Sequence, residues 1–263
     1  MVNSFRRYFG AVSVAILLLA AAFAFLNLQG TSSPPPAILD PDFTMWTEVG
    51  NITQPMVWSL QSNTSPGQLV TDRTNISGRD ALRLSVYKNS TSQRETFVSL
   101  SETLDGARLA RLMNSTIGLW VYKEACNCDS EPFSDYSELL SVQVNDGIRQ
   151  VSFMFTDQLE GNLTFLGHRV VFLPTPSGQW TYRQMDIGHE YSLADWPMPS
   201  ALTFSLYFEI GSKSARGWHT AYISNVTTNS AVSYSVATGE SSSFDFRGYY
   251  QTFKLRENLA ISE

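Results

Sequence analysis

Three histidines, two cysteines and a handful of spaced carboxylates are the side chains here whose chemistry could break or make a bond. His168, His189 and His219 stand far apart, and His189-Glu190 is followed by Tyr191, Ser192 and Leu193. That is not H-E-x-x-H, which sets two zinc ligands one helical turn apart around a glutamate base. No G-x-S-x-G elbow and no phosphate-cradling glycine loop occurs. Asp186 and His189 flank a turn and could meet a third group in space, but turn polarity accounts for them better. A sandwich glucanase would space acids along one strand as E-x-D-x-x-E, to set acid and nucleophile about 5 Å apart. Tyr207-Phe208-Glu209-Ile210-Gly211 supplies one acid. Cys126-Asn127-Cys128 reads as a local disulfide staple outside the cell, closing a tight ring that constrains the unfolded chain little. Pairing between chains is the alternative, and a metal site lacks a neighbouring His or second Cys pair. Asp40 and Asp42 offer hard oxygen ligands for a structural Ca²⁺, with plain solvation as the simpler explanation.

Aromatic side chains carry more weight. An indole face is a platform for a sugar ring, whose C–H bonds stack on π density while nearby polar groups bind its hydroxyls. Trp120 and Trp180 fall within alternating segments and are expected in the core. Trp46, Trp58, Trp196 and Trp218 fall near strand ends or loops, and with Tyr207 and Tyr222 they are the candidate ligand-binding residues. Packing in the core is the competing explanation for each.

The elements that must position these residues read as strands. Ala81–Tyr87 alternates, with Leu82, Leu84 and Val86 on one face and Ala81, Arg83, Ser85 and Tyr87 on the other. Segments 95–101, 117–122, 139–145, 150–155, 168–173, 180–187, 202–210 and 220–226 follow the same pattern. Asn145-Asp146-Gly147 is a hairpin signal, and Pro174–Gly178 a loop. Many short strands at regular spacing predict a sandwich or barrel. Alternation predicts an inward set of Leu82, Leu84, Val86, Trp120, Val142, Val144, Phe153, Phe155, Val171, Phe204, Leu206 and Ile223. Helix is scarce: Asp105–Met113 fits two turns and Glu190–Trp196 one.

The N-terminus places the chain. Arg6 and Arg7 precede an apolar run, Ala11–Leu28. A basic flank before such a run marks a signal peptide or a single membrane anchor with the Arg side inside. Its length favours an uncleaved anchor. Cleavage after the small-x-small Ala22-Phe23-Ala24, or a pilin-type leader cut after Gly10, are the alternatives. Residues 31–39 form a Pro/Ser linker, stiff where Pro34, Pro35 and Pro36 favour polyproline II. Seven Asn-x-Ser/Thr sequons follow, at Asn51, Asn63, Asn75, Asn89, Asn114, Asn162 and Asn225. They are glycosylation acceptors only on a translocated chain. Net charge is −6, and because Arg6 and Arg7 are the only charges before Asp40, the remainder carries −8. With no basic cluster beyond Arg7, nucleic acid and charge-driven lipid binding are excluded as partners.

Several segments together resemble the jelly-roll carbohydrate-binding-module and galactose-binding-like superfamily, over residues 40–228. They are Asp40-Pro41-Asp42-Phe43 with Trp46, Gly78-Arg79-Asp80-Ala81-Leu82-Arg83-Leu84, the Leu100–Tyr122 stretch ending Leu119-Trp120-Val121-Tyr122, Ser177-Gly178-Gln179-Trp180-Thr181 before Met185-Asp186-Ile187, and Gly217-Trp218 through Ala221–Val226. In that family the last segment commonly reads I-D-N-V, with an Asp that helps a structural Ca²⁺. Ser224 takes that position here. The resemblance implies a jelly-roll β-sandwich of two antiparallel sheets over 40–228. A signal or anchor helix over 1–30 would precede it, and a C-terminal tail over 229–263 would follow. The expected role is a membrane-anchored extracellular glycoprotein that binds glycan without catalysis. A surface-assembly subunit that docks protein neighbours is the second expectation, and a glycoside hydrolase-like enzyme the third.

Overall fold

The computed structural model describes residues 36–49, 52–65, 67–88, 96–124, 138–157, 160–211 and 216–230. The N-terminal apolar segment, Asn51, Asn89, Cys126, Cys128 and the chain from 231 lie outside the described residues. Among the described residues no helix is long and apolar enough to cross a membrane.

Fourteen strands and two short helices are described. The strands are β1 (Trp46–Val49), β2 (Ile52–Pro55), β3 (Ser59–Ser62), β4 (Leu69–Ile76), β5 (Arg79–Lys88), β6 (Thr96–Asp105), β7 (Ser115–Lys123), β8 (Glu138–Asn145), β9 (Gln150–Thr156), β10 (Gly161–Phe165), β11 (His168–Pro174), β12 (Thr181–Met185), β13 (Ala201–Ile210) and β14 (Gly217–Ser230). The helices are α1 (Gly106–Met113) and α2 (Ile187–Leu193). A seven-stranded sheet runs β10-β11-β9-β8-β13-β6-β3, a five-stranded sheet β12-β7-β14-β5-β4, and β1-β2 form a separate ribbon.

The two larger sheets enclose one core. Leu82, Leu84 and Val86 of β5, Leu119 and Val121 of β7, and Ile223 of β14 face Val142, Val144, Phe153, Phe155, Phe204, Leu206 and Phe208 of the other sheet, none more than 1% exposed. Strand alternation dictates this arrangement, since residues two apart share a face. The phase of β7 differs from expectation. Leu119 and Val121 take the inward positions, so Trp120 points out of the core. Val171 packs only partly against the core.

Both large sheets were expected to be antiparallel, and one strand pair is not. β9 and β11 pair in parallel, His168 beside Gln150 and Pro174 beside Thr156. After β9 the chain skips one strand position to lay down β10. The Leu166-Gly167 turn, with both φ values positive, then returns β11 into the gap. Paired φ > 0 residues are what a two-residue hairpin turn matched to strand twist requires, and the returning strand necessarily runs with β9.

α1 fills the expected place and buries Leu109, Leu112 and Met113. α2 starts earlier than expected because the Asp186 carboxylate accepts the His189 backbone N–H at 2.8 Å and caps the helix there. The N-terminal approach to the sandwich is also packed. Ala37 and Ile38 are buried, and the Ala37 carbonyl and Leu39 N–H are bound by Arg108 and Glu102.

The five described sequon asparagines, Asn63, Asn75, Asn114, Asn162 and Asn225, are all exposed. Asn75 and Asn162 stand on the edge strands β4 and β10, Asn63 follows the edge strand β3, and Asn114 caps the C-terminus of α1. Asn225 adopts φ 54° at a bulge in β14, between Ser224 and Thr227. Asn tolerates that left-handed conformation better than most residues.

Candidate functional site

The outward residues of the five-stranded sheet form an aromatic face. On β7, Trp120 and Tyr122 point out because Leu119 and Val121 point in. Neighbouring strands continue the pattern in register. Tyr182 of β12 is paired with Trp120, Tyr222 of β14 lies between Tyr122 and Arg83, and Trp218 of β14 is paired with Tyr87 of β5. Ring centroids lie 5.3 Å apart for Trp120–Tyr182, 5.5 Å for Tyr122–Trp180, 5.7 Å for Tyr122–Tyr222 and 5.5 Å for Tyr87–Trp218. These tilted and edge-on contacts are the arrangements the ring quadrupoles favour. Gly118 is required beneath them: a Cβ there would lie 1.9 Å from the Tyr182 hydroxyl. The absent side chain lets the Tyr182 ring settle onto the sheet.

Polar groups border the rings. The Ser77-Gly78 turn between β4 and β5 has φ values of 52° and 78°, a tight hairpin turn that delivers Arg79 onto the face. The Arg79 guanidinium lies 4.1 Å from the Trp120 ring centroid and 5.5 Å from that of Trp180. The Trp180 indole N–H donates to the Ile76 carbonyl at 3.3 Å. Arg83 is held by Asp72, its Nε donating at 2.8 Å. The Tyr222 hydroxyl donates to Glu124 at 2.6 Å, and burial together with that carboxylate raises its pKa. Asp80 accepts from Asn75 at 2.8 Å and from Arg73 at 3.0 Å, and those partners hold its carboxyl below the usual range.

The six aromatics singled out from sequence are dispersed. Trp58 is a core residue, 2% exposed, between Phe43 and Phe204. Trp46 is half-buried against the same core, its indole donating to the Phe43 carbonyl at 2.6 Å. Trp196 is half-buried, edge-on to Tyr191. Tyr207 lies on the outer face of the seven-stranded sheet, stacked on Phe97 and donating to Glu209 at 2.6 Å. Trp218, 48% exposed, and Tyr222, 7% exposed, are the two that belong to the aromatic face. Trp120, Trp180, Tyr87, Tyr122, Tyr182 and Arg79 also belong to that face and were not among the candidates. Two Trp-x-Tyr triplets, Trp120-Val121-Tyr122 and Trp180-Thr181-Tyr182, were the available signal, because residues two apart in a strand share a face.

Other candidate chemistry resolves into structure. The Asp40 carboxylate accepts from Thr44 N–H at 2.7 Å, the Thr44 hydroxyl at 2.8 Å and Met45 N–H at 3.0 Å, closing a turn. No group of three or more potential metal ligands occurs among the described residues. His168 stacks on Phe165, and the exposed His189 follows the Asp186 cap. His219 is buried and bound through Nδ1 to Glu138 at 2.5 Å, at the end of the core that also holds Lys88 and Lys123. Lys123 donates to the Phe155 carbonyl at 3.2 Å and meets Asp157 at 3.3 Å, and burial pushes its pKa down. A cleft of roughly 540 Å³ opens beside the β1-β2 ribbon, lined by Val49, Ile52, Gln54, Leu60, Ser62 and Phe97 among others.

No protein-family model and no curated protein sequence matches the chain. Solved structures similar to it include carbohydrate-binding modules, xylanases and xyloglucanases. One is from work on carbohydrate-binding modules of the β-sandwich superfamily, at 9% identity and TM-score 0.35. The match covers 66% of this chain and 57% of that one, less than two thirds of its length. The family 11 carbohydrate-binding module of a cellulosomal cellulase of Clostridium thermocellum matches at 9% identity and TM-score 0.35, over 73% of this chain and 98% of that one. The family 11 xylanase from Neocallimastix patriciarum matches at 10% identity and TM-score 0.35, over 65% and 95%. Ligand and reaction are therefore argued from the residues alone.

Proposed function

We propose that this chain is a non-catalytic glycan-binding module, held outside the cell by its N-terminal apolar segment and bearing N-linked glycans of its own. The observation that carries this reading is the aromatic face of the five-stranded sheet. Trp218 and the Ser224–Trp120 pair lie six residues apart along β14, about 20 Å at about 3.4 Å per residue. A platform of that length suits a sugar chain better than a single ring. The carboxylates on its border support binding over catalysis. Asp72, Asp80 and Glu124 are each held by a donor, and the Asp80 pKa is lowered, whereas a general acid needs its pKa raised. The exposure of the five described sequon asparagines supports glycosylation, with Asn63, Asn75, Asn114 and Asn162 at sheet edges or a helix end and Asn225 at the β14 bulge beside one end of the platform.

Stacking is weak per ring, so a single site is expected to bind at about micromolar to millimolar Kd, roughly 4–8 kcal/mol. Many anchored copies on one surface would convert that into firm retention through multivalency. A glycan array probed with the full chain tests the reading. Binding to at least one polysaccharide class, lost on Trp120→Ala, is the expected result, and an array with no bound glycan would overturn it.

A surface-assembly subunit is the second reading. Met45, Val49 and Met56 on the β1-β2 ribbon are 43%, 58% and 56% exposed, an apolar group that would suit a protein neighbour. Envelope pull-down with Met45→Ser/Met56→Ser as the control would separate the two readings.

A further inference from the structure

Resting on the glycan-binding reading, we infer that the ligand is an acidic polysaccharide whose carboxylates are read by Arg79 and Arg216. Among the described residues most arginines are spoken for by acids: Arg73 by Asp80, Arg83 by Asp72, Arg108 by Glu102, Arg149 by Asp146 and Arg169 by Glu190. Arg79 and Arg216 are different. Among the described residues each meets aromatic groups and no carboxylate. Arg79 lies over the Trp120 and Trp180 rings, and Arg216 Nε donates to the Tyr87 hydroxyl at 3.2 Å, where the Tyr87 ring meets Trp218. One stands at each end of the aromatic face.

Indole contact fixes the Arg79 guanidinium without consuming its in-plane N–H donors, and Arg216, whose Nε is taken by Tyr87, keeps its terminal nitrogens. Cation–π attraction acts through the ring face, while the forked donors at the rim remain available to an anion. That fork matches a carboxylate in bidentate geometry, so a uronate is a better fit than a neutral hydroxyl pair. Binding it would displace water and no competing protein acid. Arg79 and Tyr87 are eight residues apart on β5, about 27 Å at about 3.4 Å per residue. Two cations at that separation, with rings between them, fit a chain that carries acid groups repeatedly and presents apolar sugar faces in between. The net −8 beyond residue 35 does not oppose this at contact distance. Charges elsewhere are screened beyond about 8 Å at physiological salt, while a contacting guanidinium is not.

The test is native affinity electrophoresis of the full chain in gels that contain polygalacturonate, a neutral xylan or dextran sulfate. Wild type is expected to be retarded by polygalacturonate at a concentration at least about tenfold below that needed for xylan, the factor carried by one good charge-assisted contact. Arg79→Gln should abolish that preference and Arg79→Lys restore only part of it, because an ammonium lacks the planar fork. Arg216→Gln should weaken it independently. Near-ultraviolet circular dichroism of Arg79→Gln reports whether the Trp120 and Trp180 environment survives. Equal retardation by xylan and polygalacturonate, unchanged by Arg79→Gln, would overturn the acidic-ligand inference and leave glycan binding standing. Retardation by dextran sulfate alone, the same in wild type and Arg79→Gln, would mark plain ion exchange and also overturn it. Retardation by none of the three would remove both readings.

Discussion

The outer faces of the two sheets are built from the same strand geometry and end in opposite chemistry. On the five-stranded sheet the outward rows hold Trp120, Tyr122, Tyr182, Tyr222 and Trp218, with Arg79 laid across the indoles. On the seven-stranded sheet the central outward row runs Ser59, Ser101, Ser205, Gln143 and Ser152. Several of these side chains bind groups on or beside the row. Gln150 donates to Ser152 at 2.9 Å, Gln143 to Ser141 at 3.2 Å, and Ser101 to the Ser59 carbonyl at 3.4 Å. One end of that face is closed by a small apolar cluster of Leu139, Met154, Val170 and Phe172. A face whose donors and acceptors already pair internally has little left to offer a ligand. A face of rings with a guanidinium at each end offers stacking area and unsatisfied charge. The inner faces make the sandwich, and the outer faces differ because nothing in the core dictates them.

Leu84→Ala strikes beneath both faces and should have the largest effect. Leu84 is fully buried, so truncation leaves a cavity and should lower the unfolding free energy by about 2–5 kcal/mol in chemical denaturation, with both faces lost together. Trp120→Ala combined with Trp180→Ala cuts the comparison in half. Glycan retention should fall about tenfold or more, the factor that ~1.4 kcal/mol of lost contact carries, whereas Tyr207→Ala on the opposite face should leave it unchanged. Gly118→Ala is subtler. The new Cβ collides with the Tyr182 hydroxyl and should cost about 1–3 kcal/mol by overpacking. Adding Tyr182→Ala should recover part of that stability, since Thr227 Oγ1 still lies 2.9 Å from the new Cβ, without recovering glycan binding, as thermal melts and gel retardation would show.

The smallest effect belongs to neither face. Burial depresses the Lys123 pKa from its ordinary 10.5, so between the folded and unfolded values the unfolded chain binds more protons. Stability should therefore rise as pH climbs through that window, with the penalty fully present below the folded value and gone above 10.5. Lys123→Met should flatten the slope in melts across alkaline pH while glycan retention at neutral pH stays as in wild type.

The sequence made the core more legible than the surface, for reasons visible in particular strands. β5, β8 and β13 alternate with several apolar residues on one face, so their inward sets are unambiguous. β3 offers only Leu60 within Ser59–Ser62, and β10 only Leu163 and Phe165, too little periodicity to identify an edge strand. The parallel β9–β11 pair depends on where β10 is laid down, which no local pattern encodes. Trp120 shows how composition misleads. An indole within an apolar strand looks like core, yet Leu119 and Val121 had the stronger claim to the inward phase. The platform was half legible through its two Trp-x-Tyr triplets. Arg79 was not, because its seat on Trp120 and Trp180 joins the β4–β5 turn to residues 41 and 101 positions further along the chain.

One experiment bears most directly on the claim that function lies on the five-stranded face. Wild type, Trp120→Ala/Trp180→Ala and Tyr207→Ala full chains are run side by side in native gels with and without the polysaccharide that retards the wild type most strongly. The account predicts retardation for wild type and Tyr207→Ala, and free migration for the tryptophan pair, whose far-ultraviolet circular dichroism should still report the folded sandwich. Retardation of the tryptophan pair equal to wild type, or its loss in Tyr207→Ala, would contradict it and move the site to the other sheet.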